Sequence, residues 1–339
     1  MKKNICSIFS ALILFTPSLI WAVPESQMNI IYNLLDSNAY QYRGFTGQNN
    51  IALNYMKFGT DKPKGTIVVS PGRTEASVKY LELAYDLDQQ GYGPIYVLSH
   101  RGQGLSQRVL NNPRKGYVRN FFYYAQDLNQ FMDDIVLPEN PKKRLYLISH
   151  SMGGATAAIY SQNFKSHFHK IVMLAPMLQI DLGQQSEREV LWQTALVCKL
   201  PFGPYCTDYI PGGSDGEMRE IFEENVVTSS KVRFDFKESL LNRWPELKLG
   251  SPTFRWLRES LIATRKLRHQ SAINRIQTPI LILQAQDDVV VRNYGQDQFC
   301  ERTPYCSLKI MEQARHEILF ERDEIRNKAL EAIKSFLSH

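Results

Sequence analysis

The segment "RLYLISHSMGGATAAIY", residues 144–160, is the most informative part of the sequence. Apolar, β-favouring residues run into a cluster of small residues, and an alanine-rich helical segment follows at once. Such a strand, tight turn and helix are typical of a nucleophile elbow, where small flanking residues let the strand and helix backbones approach closely. Ser151 is the apex, flanked by Ser149 and Gly153. The usual pattern has glycine two residues before the apex, where this chain has Ser149. The alternative is a strand-to-helix turn whose residues are small only for packing and which carries no nucleophile.

Short apolar runs alternate with longer helical patterns along most of the chain. We predict strands at 65–71, 92–99, 144–149, 170–176, 279–285 and 306–312, and helices at 76–90, 119–137, from 151 and at 322–338. Continuous apolar strands alternating with helices indicate a parallel sheet covered on both faces, with right-handed crossovers. Residues 28–60 are expected to add an antiparallel edge. The predicted fold class is therefore α/β.

The alternation stops between residues 177 and about 268. This insertion has a mostly helical pattern with turn signals such as "PGGSDG", and it contains Trp192, Trp244 and Trp256. An aromatic-rich insertion between two sheet strands is typical of a lid over an apolar cleft. A small packed subdomain without a binding role is the alternative, and the two are compatible.

Acidic and basic groups follow two later strands. A serine hydroxyl needs a base to accept its proton and an acid to orient that base, and in this architecture the chain order is serine, acid, histidine. Asp287 and Asp288 follow the strand at 279–285, and His316 follows the last strand. Because the carboxyl ends of parallel strands meet at one edge, we expect these groups to meet Ser151. The alternative for His316 is an incidental surface histidine.

A tetrahedral oxyanion requires two hydrogen-bond donors. The backbone N–H of Met152, directly after the apex, is one candidate, and the N–H of Arg73 in "SPGRTEAS" is the other, with Gly72 allowing a tight turn. The side chain of Arg73 is either an ordinary solvated charge or a group that faces an anionic head group.

The first 22 residues have the composition of a secretory signal peptide: a basic start "MKKN", an apolar run and Ala22 at the end. Residues 23–339 would then form the mature protein, in the periplasm, secreted or at a membrane surface. An uncleaved membrane anchor is the alternative, but the run is short and contains Pro17.

The four cysteines that follow the predicted signal peptide fall into two local pairs, Cys198 with Cys206 and Cys300 with Cys306. An even number of cysteines in an exported chain favours two disulfides, although three connectivities are possible. A zinc site is the rival interpretation, but these spacings do not fit the common C-x₂₋₄-C arrangement.

Composition limits the function classes. With 43% hydrophobic and 22% charged residues the chain is an ordinary globular protein. The formal charge of +6 suits an anionic membrane surface. No run of lysine and arginine interleaves with stacking aromatic residues, so nucleic acid is not an expected partner, and no protein partner is predicted.

Four segments carry a family resemblance: "VVSPGRTEASVKYLELAYDLDQQGYGPIYVLSHRGQGLS", "ISHSMGG", "LILQAQDDVVV" and "ARHEILFERDEIR". Together they resemble the α/β-hydrolase superfamily, most closely its bacterial lysophospholipase and monoacylglycerol-lipase branch. The resemblance covers most of residues 50–337 and is weak in the insertion. Two departures stand out: Ser149 replaces a glycine, and "SPGR" replaces the His-Gly start of monoacylglycerol lipases, which favours the lysophospholipase side.

The resemblance implies a role for each candidate. Ser151 would be the nucleophile, His316 the general base and Asp288 the acid, with Asp287 as its alternative. The backbone of Arg73 and Met152 would form the oxyanion hole, and the insertion would be the family's helical cap.

The implied reaction is hydrolysis of the acyl ester of lysophospholipids or monoacylglycerols at a membrane or micelle surface, through an acyl-enzyme and without a metal or organic cofactor. A short-chain carboxylesterase or a serine aminopeptidase on the same fold is the alternative, since fold alone does not choose a substrate. A non-catalytic lipid-binding protein is a third, disfavoured by the complete set of serine, acid and histidine.

Overall fold

The computed structural model describes residues 22–199, 205–216 and 221–338. Apart from Ala22, the predicted signal peptide lies outside these residues. The strands are β1 (Tyr40–Gly47), β2 (Ile51–Phe58), β3 (Thr66–Ser70), β4 (Ile95–Ser99), β5 (Leu145–His150), β6 (Lys170–Leu174), β7 (Ile280–Ala285) and β8 (Cys306–Met311). They form one sheet in the order β1-β2-β4-β3-β5-β6-β7-β8.

The sheet is parallel from β4 to β8 and antiparallel at β1 and β2. The helices are α1 (Asn29–Leu35), α2 (Leu81–Gln89), α3 (Phe122–Phe131), α4 (Leu137–Glu139), α5 (Met152–Asn163), α6 (Glu187–Lys199), α7 (Lys231–Arg243), α8 (Phe254–Leu267), α9 (Gln270–Ile273), α10 (Asn293–Arg302) and α11 (Asp323–Ser338). The predicted α/β class and the antiparallel edge are confirmed. Helix α1 was not predicted, and a π turn interrupts the predicted helix at 119–137 after α3.

Successive residues of the central strands face opposite cores, because side chains alternate along a strand. In β3, Ile67 and Val69 join the core beneath α2 and α11, whereas Val68 joins the core beneath α3 and α5. Every residue of β3, β4, β5 and β7 is buried. Continuous burial explains why these strands read as unbroken apolar runs.

The segment between β6 and β7 carries α6, α7, α8 and α9. Helix α6 packs on α8, and α8 packs on α5. Trp256 is buried, whereas Trp192 on α6 is 68% exposed. Among the described residues no helix is both long and apolar enough to span a membrane.

Both predicted cysteine pairs are confirmed as disulfides. Cys198, near the end of α6, bonds to Cys206 in the following turn, with their Cα atoms 4.4 Å apart. Cys300 in α10 bonds to Cys306 at the start of β8, with Cα atoms 5.2 Å apart. The zinc interpretation is therefore wrong, and two disulfides are typical of an oxidising compartment.

Candidate active site

Ser151 lies at the turn between β5 and α5, with φ 49° and ψ −116°. A non-glycine residue with positive φ is strained, and such strain persists only where its surroundings hold it. The Ser151 N–H donates to Leu174 at 3.0 Å, and its carbonyl accepts from Met177 at 2.9 Å. Neighbouring strand β6 and the loop after it therefore fix the turn. Ser151 is only 7% exposed.

The small flanking residues have different reasons for their size. A Cβ on Gly153 would lie 2.0 Å from the backbone oxygen of Ser70, so only glycine fits there. Ser149, by contrast, has room for a side chain, and its hydroxyl donates to the Val172 carbonyl at 3.1 Å. The departure from glycine at this position is therefore compatible with the tight turn.

The structure brings the three predicted side chains into one chain of hydrogen bonds. His316 Nε2 lies 2.9 Å from Ser151 Oγ, and His316 Nδ1 lies 2.7 Å from an Asp288 carboxylate oxygen. The other Asp288 oxygen accepts from the N–H groups of Val290 and Val291 at 2.8 and 3.0 Å. A hydroxyl, an imidazole and a carboxylate in this order are the arrangement by which a serine becomes a nucleophile.

Between the two candidate acids, Asp288 contacts His316 and Asp287 is exposed at the surface. The Asp288 side chain is fully shielded from solvent. Burial raises the pKa of Asp288, but the hydrogen bond and charge of His316, with the two backbone donors, outweigh burial and lower it below the usual value. Asp288 is therefore ionised at neutral pH.

The two candidate oxyanion donors flank the same turn. Arg73 lies in the loop after β3, and Met152 is the first residue of α5. Neither backbone N–H has an acceptor among the residues that the structure describes. The loop is close to Ser151 because Ser70 at the end of β3 pairs with Ser149 of β5. Glycine at position 72 lets the loop backbone lie close to the His150 ring, since a Cβ there would be 2.9 Å from His150 Nδ1.

A buried charged network behind these residues was not predicted from the sequence. Glu75 accepts from Lys79 at 2.7 Å and from Tyr80 at 2.6 Å, and it also accepts from the Gly72 N–H. Lys79 makes a second ion pair, 2.7 Å long, with Glu317. The network joins the loop after β3, which carries Arg73, to the residue after His316. The signal for it was weak: two glutamates close to candidate residues, one in "GRTEAS" and one in "ARHEIL".

His150 belongs to the same network. Its Nδ1 lies 3.1 Å from Glu75, and its Nε2 lies 3.1 Å from the His316 carbonyl oxygen. Burial opposes a charge on His150, but the Glu75 carboxylate outweighs burial and raises the pKa of His150. Although burial would raise the pKa of Glu75, Lys79 and His150 hold it well below its usual value. The network therefore contains ionised partners at neutral pH.

The loop that carries His316 is also fastened to the insertion. The Arg315 side chain donates to the carbonyl oxygens of Asn225 and Thr228 at 2.9 and 3.0 Å. The Glu317 N–H donates to Val227 at 2.8 Å. Movement of this part of the insertion would therefore also displace the loop that positions the His316 imidazole.

The sheet order, the helices on both faces and a buried serine at the strained turn after β5 define an α/β hydrolase. A family model described as "Serine aminopeptidase, S33" matches residues 61–323, and the chain belongs to this family.

Individual relatives agree with this assignment. Lysophospholipase L2 of Escherichia coli is 34% identical over 305 residues, covering 87% of this chain and 86% of that protein. The probable lysophospholipase L2 of Haemophilus influenzae is 31% identical over 297 residues, with coverages of 86% and 90%. The monoglyceride lipase of Rattus norvegicus is 25% identical, with coverages of 82% and 83%. The predicted resemblance to this lysophospholipase and monoacylglycerol-lipase branch is confirmed.

A solved structure supports the fold. A soluble variant of monoglyceride lipase from Saccharomyces cerevisiae superposes with a TM-score of 0.69 at 21% identity, covering 88% of this chain and 94% of that one. As an α/β hydrolase with lysophospholipase and monoglyceride-lipase relatives, the protein is a hydrolase that acts on esters.

Proposed function

We propose that this protein cleaves the acyl ester of lysophospholipids through a Ser151–His316–Asp288 triad. The observation that carries the proposal is the unbroken hydrogen-bond chain, 2.9 Å from serine to imidazole and 2.7 Å from imidazole to carboxylate. The lysophospholipase L2 relatives support the substrate class.

In the first step, Ser151 Oγ attacks the ester carbonyl carbon while its proton passes to His316 Nε2. The carbonyl electron pair moves to the oxygen, which accepts hydrogen bonds from the N–H groups of Arg73 and Met152. Loss of one such donor costs about 10²–10³ in rate, or roughly 3–4 kcal/mol. When the carbonyl re-forms, the bond to the glycerol-side oxygen breaks and that oxygen takes the proton from His316.

In the second step, water hydrolyses the acyl-serine. His316 accepts a proton from water, the hydroxide adds to the acyl carbon, and collapse of the intermediate returns the proton to Ser151 and releases the fatty acid. Asp288 remains ionised and stabilises the imidazolium in both steps.

The insertion is proposed as a lid, and the mature enzyme as an exported protein that works at a membrane or micelle surface. Support for the lid comes from the burial of Ser151 and from the bonds between the insertion and the His316 loop. Support for a lipid surface comes from Trp192 and Leu196, one turn apart on α6 and 68% and 51% exposed. The disulfides support export.

An amide substrate is the second candidate, because the family description names an aminopeptidase. A peptidase of this kind would need a free acid in the cap to bind the substrate amine. Two cap glutamates have other partners: Glu187 pairs with Arg268 at 2.6 Å, and Glu189 accepts from Ser186 at 2.8 Å. Glu223 and Glu224, also in the insertion, are exposed, so the comparison of ester and amide substrates has to separate the two candidates.

The test is a substrate panel with the purified mature protein and its Ser151→Ala variant. Lysophosphatidylcholine, a monoacylglycerol of the same chain length and a prolyl-arylamide would be compared by kcat/KM. We expect the lysophospholipid to be the best substrate and the variant to lose all three activities. Preferential cleavage of the arylamide would contradict the proposal.

A further inference from the structure

The side chain of Arg73 extends from the loop after β3 toward the insertion. One of its Nη atoms donates to the carbonyl oxygen of Gly250, and the guanidinium carbon lies 5.2 Å from the centre of the Trp256 ring. In the part of the chain that the structure describes, no carboxylate is among the groups that act on this charge. Its Nε–H is buried and has no acceptor there. Burial lowers the pKa of Arg73 to about 10.

The fully buried arginines among the described residues are paired with acids. Arg101 contacts Asp127 at 2.6 Å, and Arg233 contacts Glu82 at 2.8 Å. A buried charge without a partner is costly, and proteins usually pair or neutralise it. Arg73 is only partly buried, but it has no acid partner of this kind among the described residues, and an anionic ligand would supply one.

A second arginine lies beside it. One Nη of Arg114 is also buried without an acceptor among the described residues, and the Arg114 carbonyl accepts from the Gly250 N–H at 2.8 Å. Burial and the Asp215 carboxylate, which accepts from the Tyr209 hydroxyl, raise the pKa of Tyr209, and Arg73 and Arg114 both oppose that rise. The two positive charges and this one carboxylate therefore lie around one tyrosine. The neighbouring Lys115 is already paired with Asp208 at 3.0 Å. Two guanidinium groups thus converge on one part of the insertion.

The loop from which the Arg73 side chain starts lies next to the turn that carries Ser151. Residues before Arg73 touch the nucleophile turn, since a Cβ on Gly153 would lie 2.5 Å from the Pro71 oxygen. The backbone N–H of Arg73 is a proposed oxyanion donor, and its side chain starts from the same residue. In a lysophospholipid the phosphorus is separated from the ester by the glycerol carbons, a path similar in length to that from the backbone N–H to the guanidinium of an arginine.

We propose that the Arg73 guanidinium, assisted by Arg114, binds the phosphodiester of the lysophospholipid head group and so favours lysophospholipids over uncharged monoacylglycerols. A guanidinium suits this ligand because its planar donors match two phosphate oxygens at once. The Nε–H of Arg73 would gain an acceptor in the complex. The inference rests on the proposed ester hydrolysis and names the group that selects its substrate.

The test measures a ratio: kcat/KM for lysophosphatidylcholine divided by kcat/KM for a monoacylglycerol of the same acyl chain. Both esters use the same oxyanion donors, so damage to the loop backbone cancels from this ratio. Because a hydrogen bond to a charged group contributes about 1.5–3 kcal/mol, the ratio should fall about 10- to 100-fold in Arg73→Gln. It should fall less in Arg73→Lys, which keeps the charge, and less in Arg114→Gln.

Arg255→Gln is the matched control. It also removes one positive charge from the insertion, but Arg255 on α8 already has an acid partner, Glu259, at 3.4 Å. Its ratio should equal that of the wild type. An unchanged ratio in Arg73→Gln, or an equal loss on both esters, would overturn the inference and leave the hydrolase intact. A wild-type protein that cleaves neither ester would overturn both proposals.

A second measurement needs only wild-type protein with monoacylglycerol as substrate. Glycerophosphocholine should inhibit competitively, whereas glycerol at the same concentration should not. If inorganic phosphate inhibits as strongly as glycerophosphocholine, the site takes free phosphate rather than a lipid head group, and the inference is wrong.

Discussion

The Nε2 atom of His150 lies 3.1 Å from the backbone oxygen of His316. The residue before the proposed nucleophile therefore holds the backbone of the proposed base. Its other ring nitrogen lies 3.1 Å from Glu75, so a protonated His150 satisfies both acceptors. The neighbouring charges are Lys79 and Glu317, and the His316 ring is 4.9 Å away between centroids.

This arrangement predicts a pH-dependent contribution to stability. The pKa of His150 is raised above its usual 6.5, so its contribution is complete below pH 6.5 and is lost as pH rises through the raised pKa. His150→Asn should therefore destabilise the protein by about 1–3 kcal/mol at low pH and by less at high pH. Urea unfolding of both proteins over a pH series would measure this. His269→Gln, at an exposed histidine, is the control, and a pH-independent difference for His150→Asn would refute the prediction.

The two adjacent aspartates predict opposite outcomes. Asp288→Asn should lower kcat about 10⁴-fold, the loss seen when the triad carboxylate of a serine protease becomes an amide. Asp287→Asn should change kcat little, because this side chain is exposed and makes no contact with His316. Steady-state hydrolysis of one ester by both variants decides the question. Comparable losses in the two variants would show that the acid has been misassigned.

The flanks of the nucleophile turn predict a second contrast. Gly153→Ala should abolish activity or folding, since its Cβ would collide with the Ser70 carbonyl. Ser149→Gly should remain active, but its free energy of unfolding should fall by about 1–2 kcal/mol. The variant loses the hydrogen bond to the Val172 carbonyl, and glycine increases the backbone entropy of the unfolded chain. Activity and thermal unfolding of both variants would test this. A fully active Gly153→Ala protein would contradict the close approach.

The disulfides should stabilise the fold without taking part in the chemistry. Each closes a short loop, for which chain entropy gives about 2–3 kcal/mol. Reduction should therefore lower Tm, while serine reactivity persists at temperatures below the new Tm. The measurement is Tm with and without a reductant, with Cys300→Ser/Cys306→Ser showing the part due to one pair. An unchanged Tm on reduction would contradict this role.

Much of this site could be predicted because strand periodicity and chain order determine it. Ser151 and Asp288 follow the buried strands β5 and β7, His316 follows the partly exposed edge strand β8, and the carboxyl ends of these parallel strands share an edge. The choice between Asp287 and Asp288 depended on the turn after β7, where one residue points inward and its neighbour outward.

The network of Glu75, Lys79 and Glu317 could not be predicted in the same way. Its members come from the segment after β3 and from the loop that carries His316, which are far apart in sequence. On an open surface the same residues would be ordinary solvated charges. Their burial depends on how two loops pack, which periodicity does not encode. Gly72 is similar, because its size follows from the approach of His150 rather than from its own backbone conformation.

Ser151 is proposed to become a nucleophile through His316, and covalent labelling of the serine is the decisive experiment. Intact mass and peptide mapping after reaction with a fluorophosphonate should show one adduct on Ser151, with none in Ser151→Ala and labelling slowed by orders of magnitude in His316→Ala. Absence of an adduct in the folded wild-type protein, or an adduct on another serine, would contradict the account.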